Sequence, residues 1–205
     1  MTRVIATAAT LTFTALACTH AGGTTDTEQV KPQPPAAAAA QPAPAGSDAQ
    51  TIAAFNQRLK EYADLHNKIE KTLPPLPKEA SPAAIDKHQR ALAPLLLEQR
   101  KTAKRGDLFA PDMERFIRRV FAQIFSGTEG AKLKATIMDE NPTGIRLAVN
   151  SRSPDEVPLS TMPPQVLALL PKLPDDLEYR FIGDRLILLD VHAHTVADFI
   201  ENALP

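Results

Sequence analysis

Residues 177–191 read LEYRFI-GD-RLILLDV, and this stretch separates an α+β chain from an all-helical one. Leu177, Tyr179 and Phe181 alternate with Glu178 and Arg180, the period of a strand with one buried face. Gly183-Asp184 comes next, then Arg185 to Val191. Glycine at the first of two turn positions suits a type II′ connection, whose positive φ matches the twist of the flanking strands. Leu186, Ile187, Leu188 and Leu189 are apolar at every place, so the second strand supplies side chains to both faces. The stretch predicts a β-hairpin.

On either side of the hairpin the periods differ. Ile145, Leu147 and Val149 alternate with Arg146 and Ala148, which predicts a half-buried strand. Pro163 to Leu170 reads as a short helix ending at Pro171, and Val196 to Leu204 as a closing helix. Farther upstream the spacing is helical. Ser47 and Gln50 make a capping-box start. Apolar residues then recur at Ile52, Phe55, Leu59, Tyr62, Ile69 and Leu73, with His66 standing where a further apolar residue belongs and Leu65 beside it. Pro74-Pro75-Leu76-Pro77 stops this helix. A second helix starts at Ser81-Pro82 and is expected to reach Gly106, with Pro94 kinking it near residue 90. The short link makes the two an antiparallel hairpin. A third opens at Pro111 and stops before Gly127; Met113, Phe116, Ile117, Val120, Phe121, Ile124 and Phe125 give it a wide apolar face, the bulk expected of a core helix. A fourth is predicted near Ala131 to Met138. The expected fold class is α+β: an N-terminal helical hairpin and further helices packed with a small C-terminal antiparallel sheet. It forms a single domain over residues 48–205, with 48–127 mainly helical and 128–205 mixed.

The first forty-seven residues have a different character. Arg3 precedes Val4 to Ala17, where ten of fourteen residues are apolar and the rest are Thr. Fourteen helical residues rise about 21 Å, too little for a bilayer core of roughly 30 Å, so residues 1–17 read as a cleaved signal peptide. Ala15-Leu16-Ala17-Cys18 resembles the bacterial lipobox, in which small residues precede a Cys that is lipidated and becomes the new N-terminus. Cys18 is the sole Cys of the chain, and an unpaired thiol in an oxidising compartment is reactive whereas a thioether is inert. Ala15-x-Ala17 also fits an ordinary signal-peptidase site, in which case the product is soluble in the periplasm or secreted. By resemblance to the bacterial sorting rule, Thr19 after the Cys implies the periplasmic face of the outer membrane. Residues 18–47 continue as a lipidated Cys and a Pro/Ala-rich linker; Thr19 to Ser47 holds five Pro, eight Ala and one larger aliphatic residue, Val30. Such a composition cannot bury enough apolar surface to offset its ordering entropy and reads as a spacer.

The net charge of −1 hides an asymmetry. Arg90 to Arg119 carries eight basic residues against four acids, and the chain from Ser151 onward carries nine acids against four bases. Arg100, Lys101, Lys104, Arg105, Arg115, Arg118 and Arg119 are candidates for contact with anionic lipid headgroups. Near-zero charge and the lack of a recognition motif exclude nucleic acid as a partner. A phosphate loop, a nucleophile elbow and a zinc-protease motif are all missing, and no carboxylate pair stands out, so no catalytic residue or cofactor is indicated. Asp190, His192 and His194 alternate at a strand end and are the candidate metal ligands, with His66 and His88 as the other histidines of the folded part. His66 reads either as a hydrogen-bonded core histidine, as a residue edging into water while Leu65 takes the core place, or as a pH-sensitive contact.

Two islands carry a resemblance. Residues 163–205, with Leu170-Pro171, Leu173-Pro174, Leu177 to Gly183, Leu186-Ile187-Leu188 and Asp198-Phe199-Ile200, together with Gly106-Asp107-Leu108-Phe109, resemble a family of uncharacterised exported bacterial proteins and lipoproteins. That family implies no activity. A hairpin ending in Leu188-Leu189-Asp190 and closing on Asp198-Phe199-Ile200 is also similar to small periplasmic proteins of the RcnB type, which implies a link to nickel and cobalt homeostasis. The expected function is a non-enzymatic binding or structural module of the cell envelope, held to the membrane by lipid and meeting an envelope protein. The alternative is a periplasmic metal-homeostasis protein for nickel, cobalt, zinc or copper.

Overall fold

Hydrophobic periodicity becomes architecture in a computed structural model that describes residues 45–140, 144–155 and 162–205. The leader, Cys18 and nearly all of the Pro/Ala-rich stretch lie outside these residues. Among the described residues the elements are α1 (Ala45–Glu70), α2 (Pro82–Gln99), α3 (Pro111–Ile124), α4 (Gly127–Asp139), the one-turn α5 (Pro164–Leu167), β1 (Leu177–Ile182), β2 (Arg185–Asp190) and β3 (Thr195–Ile200). The chain is α+β, with helices first and a small antiparallel sheet last.

The hairpin stands as its sequence reads. Leu177 pairs with Asp190 and Ile182 with Arg185. Gly183 sits at φ 62° while Asp184 stays out of the left-handed region, the pattern of a type II′ turn. The C-terminal segment departs from expectation. Residues 196–204 do not form a helix; Thr195–Ile200 is a third strand, antiparallel to β2 in the order β1-β2-β3. The reason lies in β2. Leu186 to Leu189 are apolar on both faces, so both sides of β2 must be covered; a strand buried in this way also needs its backbone N–H and C=O groups paired on both edges, and β3 supplies the second partner. All six β3 residues are accordingly buried.

One sheet face receives Leu177, Tyr179, Phe181, Leu186 and Leu188, and packs on Phe55, Leu59 and Tyr62 of α1 and Met113, Ile117 and Phe121 of α3. The other carries Ile182, Ile187, Leu189, Val196 and Phe199. Here a second expectation fails. Ile145, Leu147 and Val149 are not in a strand; the segment is irregular, yet these three side chains pack on that second face. Its backbone is anchored piecewise: Arg185 donates to the Ile145 carbonyl at 2.6 Å, Asn150 N–H to Val196 at 2.8 Å, and Val196 N–H to Ser151 at 2.9 Å. Alternation marked a covered face, not a ladder.

A third cluster, Ile69, Leu92, Leu96 and Ala193, fastens the α1–α2 hairpin to the β2–β3 turn. α1 already runs from Ala45, so Ser47 lies in its first turn instead of capping it. α2 keeps the Ser81 cap, passes through Pro94 and ends at Gln99, short of Gly106. Its C-cap, Arg100, leaves helical geometry at φ −113° and ψ 24°, and its guanidinium turns inward, to Asn150 Oδ1 at 2.6 Å and the Ala197 carbonyl at 3.1 Å. α4 begins at Gly127, four residues ahead of Ala131. Gly130 allows it to start so close to α3: a Cβ there would lie 2.3 Å from the Phe125 carbonyl carbon. Among the described residues, no helix is long and apolar enough to cross a membrane.

Candidate functional site

The buried stripe of α1 contains one polar interruption, His66, which is fully buried four residues after Tyr62. Tyr62, His66 and Glu70 succeed one another at i, i+4 and so share a face. That face meets the C-terminal end of β2 and the turn after it. The Tyr62 hydroxyl donates to Asp190 Oδ2 at 2.6 Å, and His66 Nδ1 lies 2.7 Å from the same oxygen. Ala193 N–H donates to Asp190 Oδ1 at 2.8 Å. Asp190 is completely buried, and these donors stand in for the water it has lost. Arg100 lies 4.8 Å over the Tyr62 ring and adds positive potential nearby. Burial and the neighbouring Asp190 carboxylate hold the Tyr62 hydroxyl well above the ordinary tyrosine range, so it stays a donor.

With Nδ1 on Asp190, the other ring nitrogen of His66 is aimed at a second group of side chains. Nε2 lies 3.3 Å from Glu70 Oε2 and 4.0 Å from Asp176 Oδ1. His192, from the turn after β2, places Nδ1 3.1 Å from Glu70 Oε1 and 3.9 Å from Asp176 Oδ1. His88, from α2, places Nε2 3.0 Å from Glu70 Oε1. Asn67 donates to Asp176 Oδ2 at 3.3 Å, and Val191 N–H to the Asp176 carbonyl at 3.0 Å. Burial alone would lower the His66 pKa, but the bond to Asp190 and the charges of Asp190, Asp176 and Glu70 outweigh it and raise it. Burial alone would raise Glu70, but hydrogen bonds from His88 and His192 outweigh it and lower it.

Among the described residues, His66, Asp176 and His192 each offer a ligand atom, all within 4.8 Å of one another. A tetrahedral ion with bonds of about 2.0–2.2 Å places its ligand atoms about 3.3–3.6 Å apart. The contacts that Glu70 and Asp176 make with the two histidines run from 3.1 to 4.0 Å and bracket that spacing. The nearby oxygens and imidazole nitrogens suit a divalent ion of borderline hardness, and Asp190 orients His66 as outer carboxylates orient ligating histidines. A cavity of about 740 Å³ opens beside the group, lined by Glu70, His88 and His192 together with the apolar Leu73, Leu76 and Ile85.

The row Asp190, His192 and His194 is divided by this geometry. Residues 191–194 form a turn, so strand alternation does not continue past Asp190. Asp190 supports His66 from behind. His192 joins the cluster. His194, at φ 53°, faces Asp155 at 3.5 Å and lies outside it. His66 and His88, the other two histidines of the folded part, are both present, whereas the residue pattern does not single out Glu70, Asp176 or Tyr62. Glu70 had a readable signal, an acid four residues after a histidine on a buried face; Asp176 had none.

The candidate basic residues have partners within the fold, with the exception of exposed Lys104. Arg100 is built into the domain, and Arg105 lies over the Phe199 ring. Arg118 binds Glu114 and the Glu201 and Asn202 carbonyls. Lys101 pairs with Glu98, Arg115 with Asp112 and Arg119 with Asp48, while Lys104 is exposed. No protein-family model, curated protein or solved structure matches the chain.

Proposed function

We propose that this protein is a non-enzymatic metal-binding module of the bacterial envelope, fastened to the membrane through a lipid on Cys18. Its folded part takes one divalent transition-metal ion through His66 Nε2, Asp176 Oδ1 and His192 Nδ1, with Glu70 as the fourth donor. The supporting observation is that His66, Asp176 and His192 each bring a ligand atom within 4.8 Å of the others, with Glu70 at 3.3 Å from one imidazole and 3.1 Å from the other, behind an Asp190–His66 hydrogen bond of 2.7 Å. Two carboxylates neutralise a dication, and two imidazoles favour zinc, nickel or cobalt over calcium or magnesium. The lack of sulfur disfavours monovalent copper. A bound ion would join α1 to the 176 loop and the β2–β3 turn.

The purified full-length protein is titrated calorimetrically with zinc, nickel and cobalt salts. One ion per chain is expected, with a thermal midpoint that rises as the free ion exceeds its dissociation constant; a hundredfold excess stabilises by about 2.7 kcal/mol. Asp176→Asn and His192→Ala abolish both effects, whereas His194→Ala changes neither. No heat and no rise in midpoint at micromolar protein refute the metal site. For the tether, Cys18→Ala is expected to move the protein from the membrane to the soluble fraction. An unchanged membrane fraction removes the anchor.

A further inference from the structure

The proposed ion position has two kinds of ligand. His66 is fully buried and the Asp176 side chain is 12% exposed; neither lines the cavity beside the cluster. Glu70, His88 and His192 do line it, with side chains 24%, 8% and 46% exposed. Glu70 spans the two groups. Its Oε1 lies 3.0 Å from His88 Nε2 and 3.1 Å from His192 Nδ1, while its Oε2 lies 3.3 Å from His66 Nε2. His88 is not in contact with His66 or Asp176: its Nε2 is paired with Glu70 Oε1.

We infer that His88, Glu70 and His192 form an outer station that takes an incoming divalent ion from the cavity and passes it inward to His66 and Asp176. This step rests on the metal reading above. A hydrated dication gives up water stepwise, and each water is replaced before the next is lost, because a bare ion in a protein interior is prohibitively costly. His88 and Glu70 supply the first replacement donors at the cavity wall. Glu70 and His192 then stay on the ion while His66 and Asp176 replace His88 and the remaining water. A proton held by a ligating nitrogen leaves to solvent as its bond to the ion forms. His88 is therefore a ligand of the path and not of the end state, a role distinct from that of every inner residue.

Such a residue changes rates without changing the equilibrium. Zinc association and release are measured by stopped flow against a chromophoric chelator, using the full-length protein, with affinity taken from calorimetry. His88→Ala is expected to slow association and release by the same factor, about tenfold, which corresponds to an entry barrier higher by about 1.4 kcal/mol. Affinity stays within about twofold. His88→Gln can still donate to Glu70 but is a poor zinc ligand, so it is expected to preserve the fold and remain slow; it decides the matter if the alanine variant does not fold. Unchanged rates, weaker affinity with association intact, or full recovery in His88→Gln each overturn the outer station and leave the inner site standing. Failure of the wild-type chain to bind zinc at all takes both readings down.

Discussion

Removing the carboxylate of Asp198 tests how the two resembling islands are joined. Asp198 lies on β3 and is fully buried. Its Oδ2 accepts the N–H groups of Leu108 at 2.8 Å and Phe109 at 2.9 Å, Gly106 N–H lies 3.0 Å from Oδ1, and Phe199 N–H lies 2.8 Å from Oδ1. The carboxylate thus pins residues 106–109 to the sheet and seats Phe109, whose ring stacks on Phe55 at 5.6 Å and on Tyr179 at 6.5 Å. Asp198→Ala strands the buried amides of Leu108 and Phe109. Each costs about 1–3 kcal/mol, so the loss is about 4 kcal/mol, or a midpoint lowered by about 8–16 °C for a domain of this size. Asp198→Asn keeps one acceptor for those two amides and costs about 2 kcal/mol. Urea unfolding of the three proteins, read as the midpoint at constant slope, gives the comparison. An alanine variant within 1 kcal/mol of wild type refutes the reasoning, as does an asparagine variant less stable than the alanine one.

Asp198 also has a pH signature. Burial raises its pKa despite the backbone donors from Gly106, Phe109, Leu108 and Phe199. Between the unfolded value near about 3.9 and the raised folded value, the native state holds a proton that the unfolded chain has lost. The contribution of this residue to stability is therefore largest below that window, falls as pH rises through it, and is constant above it. Asp198→Asn does not titrate, so its deficit against wild type is expected to shrink as pH rises through the window; a widening deficit contradicts the sign.

Tyr62→Phe removes one of three donors to the buried Asp190; a loss of about 1–2 kcal/mol is expected in urea unfolding, and no loss means that water or a shifted partner replaces the hydroxyl. Gly130→Ala sets a methyl group 2.3 Å from the Phe125 carbonyl carbon and 2.7 Å from the Ile124 carbonyl oxygen. Both are backbone atoms, so α4 must move, at a cost of about 1–3 kcal/mol. An unchanged thermal midpoint shows that the approach of α4 to α3 is not close.

Local elements were legible where neighbouring residues alone decide them. The α1 stripe, the Ser81 cap of α2, the Pro111 start of α3 and the Gly183-Asp184 turn all derive from side-chain period, the geometry of proline and the sterics of a positive φ. Errors fell where a distant partner chose between states. Val196 to Ile200 suits helix or strand by spacing, and β2, apolar on both faces, draws it into the sheet. Ile145 to Val149 alternates as a strand does but covers a face without joining the ladder.

The cluster was half legible for the same reason. Its histidines stood out by residue type, and His66 by interrupting a stripe, but the stretch from Asp190 to His194 bends at the turn and sends His194 away. The amino-acid order by itself determined the existence of the four longer helices, the hairpin and the class of the fold, because these depend on contacts within a few residues. Only tertiary structure decided that positions 66, 70, 88, 176 and 192 meet. Nothing local distinguishes Asp176 from a solvated acid; its proximity to two imidazoles arises from the long-range packing of α1, α2 and the sheet around buried apolar surface.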